Sequence, residues 1–139
     1  PSRLLSWSGP SVAVAICYEL SNGHLLAEAV NEGAKWLLTL ANLDPYPMSI
    51  QRQFLALAQL RSIETSRDLI SVANTGPSAL IKASGKVQTL IDPFTEETQL
   101  VELNLHSEIS GYTRWKEVPL IIISFLGLIG IAFLRFFSN

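Results

Sequence analysis

The sequence has a single cysteine, a single methionine and two histidines in 139 residues. One cysteine excludes an intrachain disulfide and leaves too few thiols for a Cys-based metal site. Two histidines without ligand spacing, His24 and His106, argue against zinc; each reads as a surface or internally satisfied side chain. No Gly-rich phosphate loop is present, so no nucleotide cofactor is expected. Charge of one sign is also missing. Ten Lys and Arg stand against twelve Asp and Glu, a net charge of −2, and a basic field for nucleic acid is excluded. Repeats, low-complexity stretches and heptads are absent. The chain begins at Pro1, without an initiator Met or a signal-peptide pattern, and is expected to lack its natural start.

What is present in excess is apolar character, 48% of the residues, and much of it lies in one block. Val118–Leu134 reads VPLIIISFLGLIGIAFL, without a charge. Its length is at the short end of the ~17–25 residues that cross a bilayer. Phe136 and Phe137 extend the block if Arg135 snorkels to the headgroups, and Trp115 stands where an interfacial aromatic belongs. The segment is apolar all round and carries Pro119, Gly127 and Gly130, which membrane helices tolerate. It is read as a transmembrane helix rather than a core helix. Flanking charges, Arg114 and Lys116 before it and Arg135 after, do not set its orientation.

The preceding residues alternate strand and helix patterns. Ser11–Ile16 reads as a strand buried on both faces. Asn22–Asn31 has helical spacing of Leu25, Leu26, Ala29 and Val30, with Gly33 as a stop. Lys35–Leu40 is a second buried strand. This β-α-β order predicts parallel pairing with a right-handed crossover. Asn42–Pro47 is a loop, because two prolines and an Asp break regular structure. Ser49 is placed to cap a helix running to about Arg67, with Phe54, Leu57, Ala58, Leu60 and Ile63 on one face. Short strands follow at Leu69–Ala73, Ala79–Ala83 and Val87–Ile91, with a hairpin turn at Ser84-Gly85-Lys86. Gln99–Leu105 alternates like a strand with one solvated face. Asn74 and Thr75 shape a turn in which Gly76 supplies positive φ. Trp36 is assigned to core packing, and Glu96 and Glu97 to a solvated loop.

Cys17 directly follows the first buried strand. The C-terminal end of a parallel strand faces the crevice where α/β proteins bind ligands. A cysteine there is a nucleophile if a neighbouring base or cation favours its thiolate; otherwise it is an inert small core residue. The residues alone leave both readings open. Arg61 and Glu64, three apart on a helix, are read as a structural pair anchoring helix to sheet.

A resemblance adds to this. Val14-Ala15-Ile16-Cys17-Tyr18-Glu19 resembles the nucleophile strand of the carbon–nitrogen hydrolase (nitrilase) superfamily. Leu37-Leu38-Thr39-Leu40-Ala41-Asn42 resembles its next strand with the Asn that follows. Leu60-Arg61-Ser62-Ile63-Glu64, Ala73-Asn74-Thr75-Gly76 and Ser84-Gly85-Lys86-Val87 resemble its long helix, the following strand-turn and a late hairpin. The blocks keep family order from Val12 to Leu105. Gly111-Tyr112-Thr113-Arg114, a short spacer and a hydrophobic helix resemble the membrane-bound N-acyltransferase branch; soluble nitrilases and amidases lack such a helix.

The resemblance implies an α/β fold, the C-terminal part of a nitrilase-type α-β-β-α sandwich, followed by one transmembrane helix. Residues 1–112 would belong to the hydrolase domain, and 113–139 to a juxtamembrane segment and the helix. It implies a Glu-Lys-Cys triad with Cys17 as nucleophile, the Tyr18 backbone N–H as oxyanion donor and Glu19 as support. The triad Glu and Lys belong upstream of the Cys strand, and neither Lys35 nor Lys82 matches the triad position. Asn42, Tyr46, Asn74 and Thr75 would border the substrate. The implied reaction moves an acyl chain from a phospholipid through a Cys17 thioester to the N-terminal cysteine amino group of a diacylated lipoprotein. No cofactor, metal or nucleic acid takes part. The implied location is the bacterial inner membrane, multi-pass in full length, with the catalytic domain on the periplasmic face. The rival readings are an amidase that releases its acyl group to water and a degenerate, non-catalytic membrane homologue. One departure concerns substrate. Where the family commonly has Asn-Asp-Ala-Trp-Phe-Gly, this chain has Asn42-Leu43-Asp44-Pro45-Tyr46-Pro47, with Tyr46 a candidate for the lost aromatic bulk.

Overall fold

The computed structural model describes residues 4–137; Pro1 lies outside them. Strand β1 (Val12–Ile16) passes through a short 3-10 turn (Cys17–Ser21) into helix α1 (Gly23–Asn31). Strand β2 (Trp36–Ala41), helix α2 (Met48–Thr65) and strand β3 (Leu69–Ala73) follow. A hairpin of β4 (Ser78–Ile81) and β5 (Val87–Ile91) comes next, then short helix α3 (Gly111–Trp115) and helix α4 (Val118–Phe137). The strands form one sheet in the order β1-β2-β3-β4-β5. The first three are parallel, as two successive β-α-β units require; β4 and β5 add antiparallel.

Helices α1 and α2 cover the same face of the sheet. Ala13, Ala15, Leu37, Leu69 and Ile81 from the strands meet Leu26, Ala29, Val30 and Ala58 from the helices in one buried cluster. The alanines let helix and sheet approach closely. Asn22 caps α1, its side-chain oxygen accepting from the Leu25 N–H at 3.2 Å.

The opposite face is only partly covered, which corrects the expectation of strands buried on both faces. The pairing register sets Val14, Leu38 and Ile70 in one row and Ile16, Leu40 and Val72 in the next. The second row is 57%, 40% and 40% exposed. Produced alone, these 139 residues are therefore expected to aggregate or melt without cooperativity. Circular dichroism melting in detergent checks this, and a sharp cooperative transition would count against it.

Helix α2 departs from its expected form in three ways. It begins after Pro47, which makes no side-chain cap bond, so Ser49 lies inside the helix instead of capping it. It ends at Thr65 because Ser66 turns left-handed (φ 52°, ψ 46°). Its inward face is largely polar: Gln51, Arg61, Ser62 and Thr65 are buried, whereas Leu60 and Ile63 are 45% and 49% exposed. Each buried polar group has a backbone duty. Ser62 Oγ lies within donor reach of the carbonyls of Arg67 (2.6 Å) and Lys82 (2.8 Å), between the segment leading into β3 and the hairpin, and its one proton serves either.

Residues 99–105 do not form a strand. They run as an extended strap, with Val101 and Leu103 half-buried and Glu102 and Asn104 exposed, so the alternation is present without a ladder. The strap is held by Asp68, which is 1% exposed. The Asp68 carboxylate accepts from the N–H groups of Ala83 and Asn104 (both 2.9 Å), from Lys82 Nζ (3.1 Å) and lies 3.1 Å from His106 Nε2. Burial alone would raise its pKa; the Asn104 and Ala83 N–H groups, Lys82 and His106 outweigh it and hold the carboxyl below its usual range. Arg67, equally buried, fixes the far end of the strap by donating to the carbonyls of Ala34 (2.8 Å) and Glu108 (2.7 Å).

Trp36 is half-buried rather than core, its ring edge-on to Trp7 at 6.3 Å. Gly76 does not have positive φ. It is needed for space, since a Cβ there would fall 2.7 Å from Leu43 Cδ1. Helix α3 is capped by Ser110, whose Oγ accepts from the Thr113 N–H (3.0 Å) and donates to the Glu64 carbonyl. It packs on α1, where Asn31 donates to the Thr113 carbonyl at 3.2 Å. Helix α4 is long and apolar enough to cross a membrane, and none of its residues from Val118 to Arg135 is buried. The side chains of Phe136 and Phe137 lie outside the described part of the structure.

Candidate active site

Cys17 stands at the junction of β1 and the 3-10 turn with φ +49°, a left-handed conformation that non-glycine residues rarely adopt. Such strain persists only where its surroundings over-determine it. Here the entry to the turn is fixed by Glu19, whose Oε2 accepts from the Ile16 N–H at 2.9 Å. Leu20 is fully buried and pins the middle. At the exit, Arg61 Nε donates to the Leu20 carbonyl at 3.1 Å, and its Nη2 reaches the Ser21 carbonyl at 3.4 Å. The result is a half-buried thiol on a sharp bend at the C-terminal end of a parallel strand.

The bend opens on a groove of about 530 Å³, lined by Ile16, Cys17, Leu40, Asn42, Val72 and Asn74 among others. All come from the C-terminal ends of β1, β2 and β3 or the residues just beyond. Parallel pairing is what brings these ends together. Asn42 Oδ1 accepts from Asn74 Nδ2 at 2.8 Å, and Asn74 Oδ1 accepts from the Leu43 N–H at 2.9 Å, so the two amides form one rim. Tyr18 projects into solvent, its ring edge-on to Phe54 at 6.1 Å and its hydroxyl 3.3 Å from that of Tyr46. That hydrogen bond to Tyr18 is the main reason the Tyr46 hydroxyl is pushed above its usual pKa.

Of the residues singled out from sequence, Cys17, Asn42 and Asn74 line the groove. Tyr18 and Tyr46 stand together beside the Cys17 turn. Glu19 supports the backbone that leads into Cys17. Thr75 is not among the groove-lining residues; its hydroxyl reaches only the Asn74 side chain at 3.5 Å, and its carbonyl accepts from the Phe94 N–H. Lys35 and Lys82 lie at the other end of the sheet: Lys35 precedes β2 and binds Ser107 at 2.9 Å, and Lys82 follows antiparallel β4 and binds Asp68. A five-residue strand separates the two ends by roughly 16 Å. Among the described residues no group of three or more His, Cys, Asp or Glu is arranged to hold a metal ion.

Two features of the site went unread in the sequence. Gln51 is buried and donates to the carbonyls of Leu43 (3.3 Å) and Tyr46 (3.0 Å), fixing the 42–47 loop. Arg61 reaches past Glu64 to the Cys17 turn. Both belong to the recurring polar positions 51, 61, 62 and 65 on α2, a helical spacing that marks an inward polar face beside strongly apolar strands.

The thiol thus stands on a strained bend at the carboxyl ends of the parallel strands of an α/β sheet. The carbon-nitrogen hydrolase family model matches residues 4–110, and the chain belongs to that family. It is similar to the apolipoprotein N-acyltransferase of Prochlorococcus marinus (strain MIT 9313), 64% identical over 134 residues, covering 96% of this chain and 27% of that relative. The apolipoprotein N-acyltransferase of Pseudomonas putida (strain KT2440) is 33% identical over 132 residues, covering 94% of this chain and 26% of its own. The chain thus spans about a quarter of the length of these curated relatives. Among solved structures, Saccharomyces cerevisiae Nit3, of branch 10 of the nitrilase superfamily, superposes with a TM-score of 0.58 at 14% identity, over 67% of this chain and 38% of its own. An amidase mutant from Nesterenkonia sp. AN1 gives 0.53 at 20%, over 86% and 47%. These two show the fold.

Proposed function

We propose that this chain is the nucleophile-bearing part of a membrane-bound N-acyltransferase. Residues 1–112 form the hydrolase-type part and 113–139 the juxtamembrane segment and membrane anchor. The observation that carries the reading is the union, in one short chain, of the strained Cys17 bend at the groove and an unburied apolar helix that follows the strap and α3. A soluble amide hydrolase has no use for that helix; an enzyme drawing its acyl donor from lipid does.

In this reading the Cys17 thiolate attacks the carbonyl carbon of a phospholipid ester. The Tyr18 N–H stabilises the oxyanion of the tetrahedral intermediate, together with a lysine from outside this chain. The ester C–O bond breaks, a lysophospholipid leaves as its alcohol with the proton taken from the thiol, and a Cys17 thioester remains. The α-amino group of a diacylated lipoprotein then attacks the thioester. Its proton passes to a glutamate outside this chain, the C–S bond breaks and an amide forms. Asn42 and Asn74 offer polar contacts at the groove rim, Tyr46 with Tyr18 forms a neutral aromatic wall, and Thr75 steadies Asn74. Helix α4 crosses the inner membrane of a bacterium with the sheet on the periplasmic side.

The test supplies full-length protein in detergent with phospholipid labelled in its acyl chains and a diacylated lipopeptide. Label in amide linkage on the lipopeptide is expected. Label released only as free fatty acid would make the protein a hydrolase, and no turnover would make it a non-catalytic homologue.

A further inference from the structure

We propose that Arg61 is a positioning residue for acyl transfer: it clamps the exit of the Cys17 turn and so fixes the direction of the Tyr18 N–H toward the developing oxyanion. The inference rests on the reading of Cys17 as the nucleophile.

A pair that merely anchored α2 to the sheet would direct Arg61 at a strand or at a carboxylate alone. The side chain, 9% exposed, instead spends most of its donors on the turn. Nε donates to the Leu20 carbonyl (3.1 Å), Nη2 to the Ser21 carbonyl (3.4 Å), and Nη1 to Glu64. Three features of the chain serve this placement. Gly23 leaves room for the guanidinium, since a Cβ there would come within 1.8 Å of Nη1. Glu64 supplies the countercharge from the same helix, one turn on. The Glu64 carbonyl is held in turn by Ser110, at the base of α3.

The other end of the turn is held by Glu19 on the Ile16 N–H. Cys17 and Tyr18 therefore sit between two fixed points, and the left-handed φ of Cys17 is maintained by both. Releasing the exit lets the turn relax, and the relaxation falls on the peptide between Cys17 and Tyr18. A planar fork that serves two neighbouring carbonyls and a carboxylate together has no equivalent in lysine, which presents a compact ammonium on a flexible stem.

The experiment uses full-length protein carrying Arg61→Lys or Gly23→Ala. The second keeps the arginine and displaces it; alanine is otherwise the better helix former at that position. Acyl transfer to the lipopeptide is measured beside thermal melting and the rate at which iodoacetamide alkylates Cys17. Alkylation is a displacement at saturated carbon and builds no oxyanion. Both variants are expected to lose on the order of 10- to 100-fold in kcat, the scale of a ~1 Å misplacement. The KM for either substrate and the alkylation rate should stay near wild type, and both variants should still melt cooperatively well above the assay temperature. Wild-type kcat in both variants overturns the proposal. So does a loss of kcat matched by equal losses in alkylation and in the cooperative melt, which makes Arg61 a stabilising residue only. Cys17→Ala, run in parallel, separates the premise: turnover there removes the reading of Cys17, whatever Arg61 does.

Discussion

Cys17→Ser in the full-length protein is expected to lower acyl transfer by about three orders of magnitude or more, and Cys17→Ala to abolish it. The serine change exchanges one atom at a half-buried position, so the bend, the groove and the contacts of Glu19 and Arg61 persist. What is lost is the ionisable sulfur. A thiol supplies a useful fraction of thiolate near neutral pH, and a neighbouring cation raises that fraction; a serine hydroxyl supplies almost none. Alcohol attack would then need full proton removal in the transition state. Turnover is compared at equal amounts of protein that melts cooperatively. A Cys17→Ser variant within tenfold of wild type would mean that the thiol is a packing residue.

The second large effect concerns stability. Asp68→Ala is expected to cost about 2–4 kcal/mol locally, the scale for leaving two part-buried amide N–H groups without an acceptor. It leaves Lys82 Nζ and His106 Nε2 without their buried carboxylate, and the Ala83 and Asn104 amides without an acceptor. The strap should detach first, because Asp68 ties it at Asn104 and His106 and Arg67 ties its far end at Glu108. Amide hydrogen exchange at Ala83 and Asn104 is the direct readout, and unchanged protection would refute this assignment. The effect has a pH signature. The folded pKa of Asp68 is depressed, so its contribution is complete above the unfolded carboxyl value of about 3.9. It is lost as pH falls through the lower folded pKa. Wild-type protection at these amides should thus be level above about pH 5 and decline below about pH 4. Asp68→Asn should be weaker throughout and lack that decline.

The two effects belong to opposite ends of the parallel strands, and the ends were unequally legible in the sequence. The β-α-β order could be read because both strands are continuous apolar runs and α1 has a clear apolar stripe. That order alone places Cys17 at a crevice. The apolar block at the C-terminus needed only a count of uncharged residues. Helix α2 was harder, because its inner face carries Gln51, Arg61, Ser62 and Thr65 while Leu60 and Ile63 point outward. A hydrophobic stripe is therefore a poor guide to its orientation. Its start differs from the expected one for a local reason: Ser49 has the chemistry of a cap, but Pro47, with extended backbone, already ends the loop. Residues 99–105 alternate like a strand, yet a strand needs a free edge, and what the strap meets is a carboxylate and a carbonyl. The Asn104 N–H goes to Asp68 and the His106 N–H to the Lys35 carbonyl. Nothing local in the sequence announces Asp68 as a hub, since its partners come from residues 14 to 38 positions further on.

Covalent capture at Cys17 tests the central claim most directly. Full-length protein is mixed with phospholipid in the absence of an acceptor, quenched in acid, digested and analysed by mass spectrometry. The account predicts a peptide containing Cys17 that is heavier by one fatty acyl group, cleaved by neutral hydroxylamine and chased on addition of diacylated lipopeptide. An acyl adduct on another residue that survives in Cys17→Ala, or turnover with no adduct at Cys17, would contradict it.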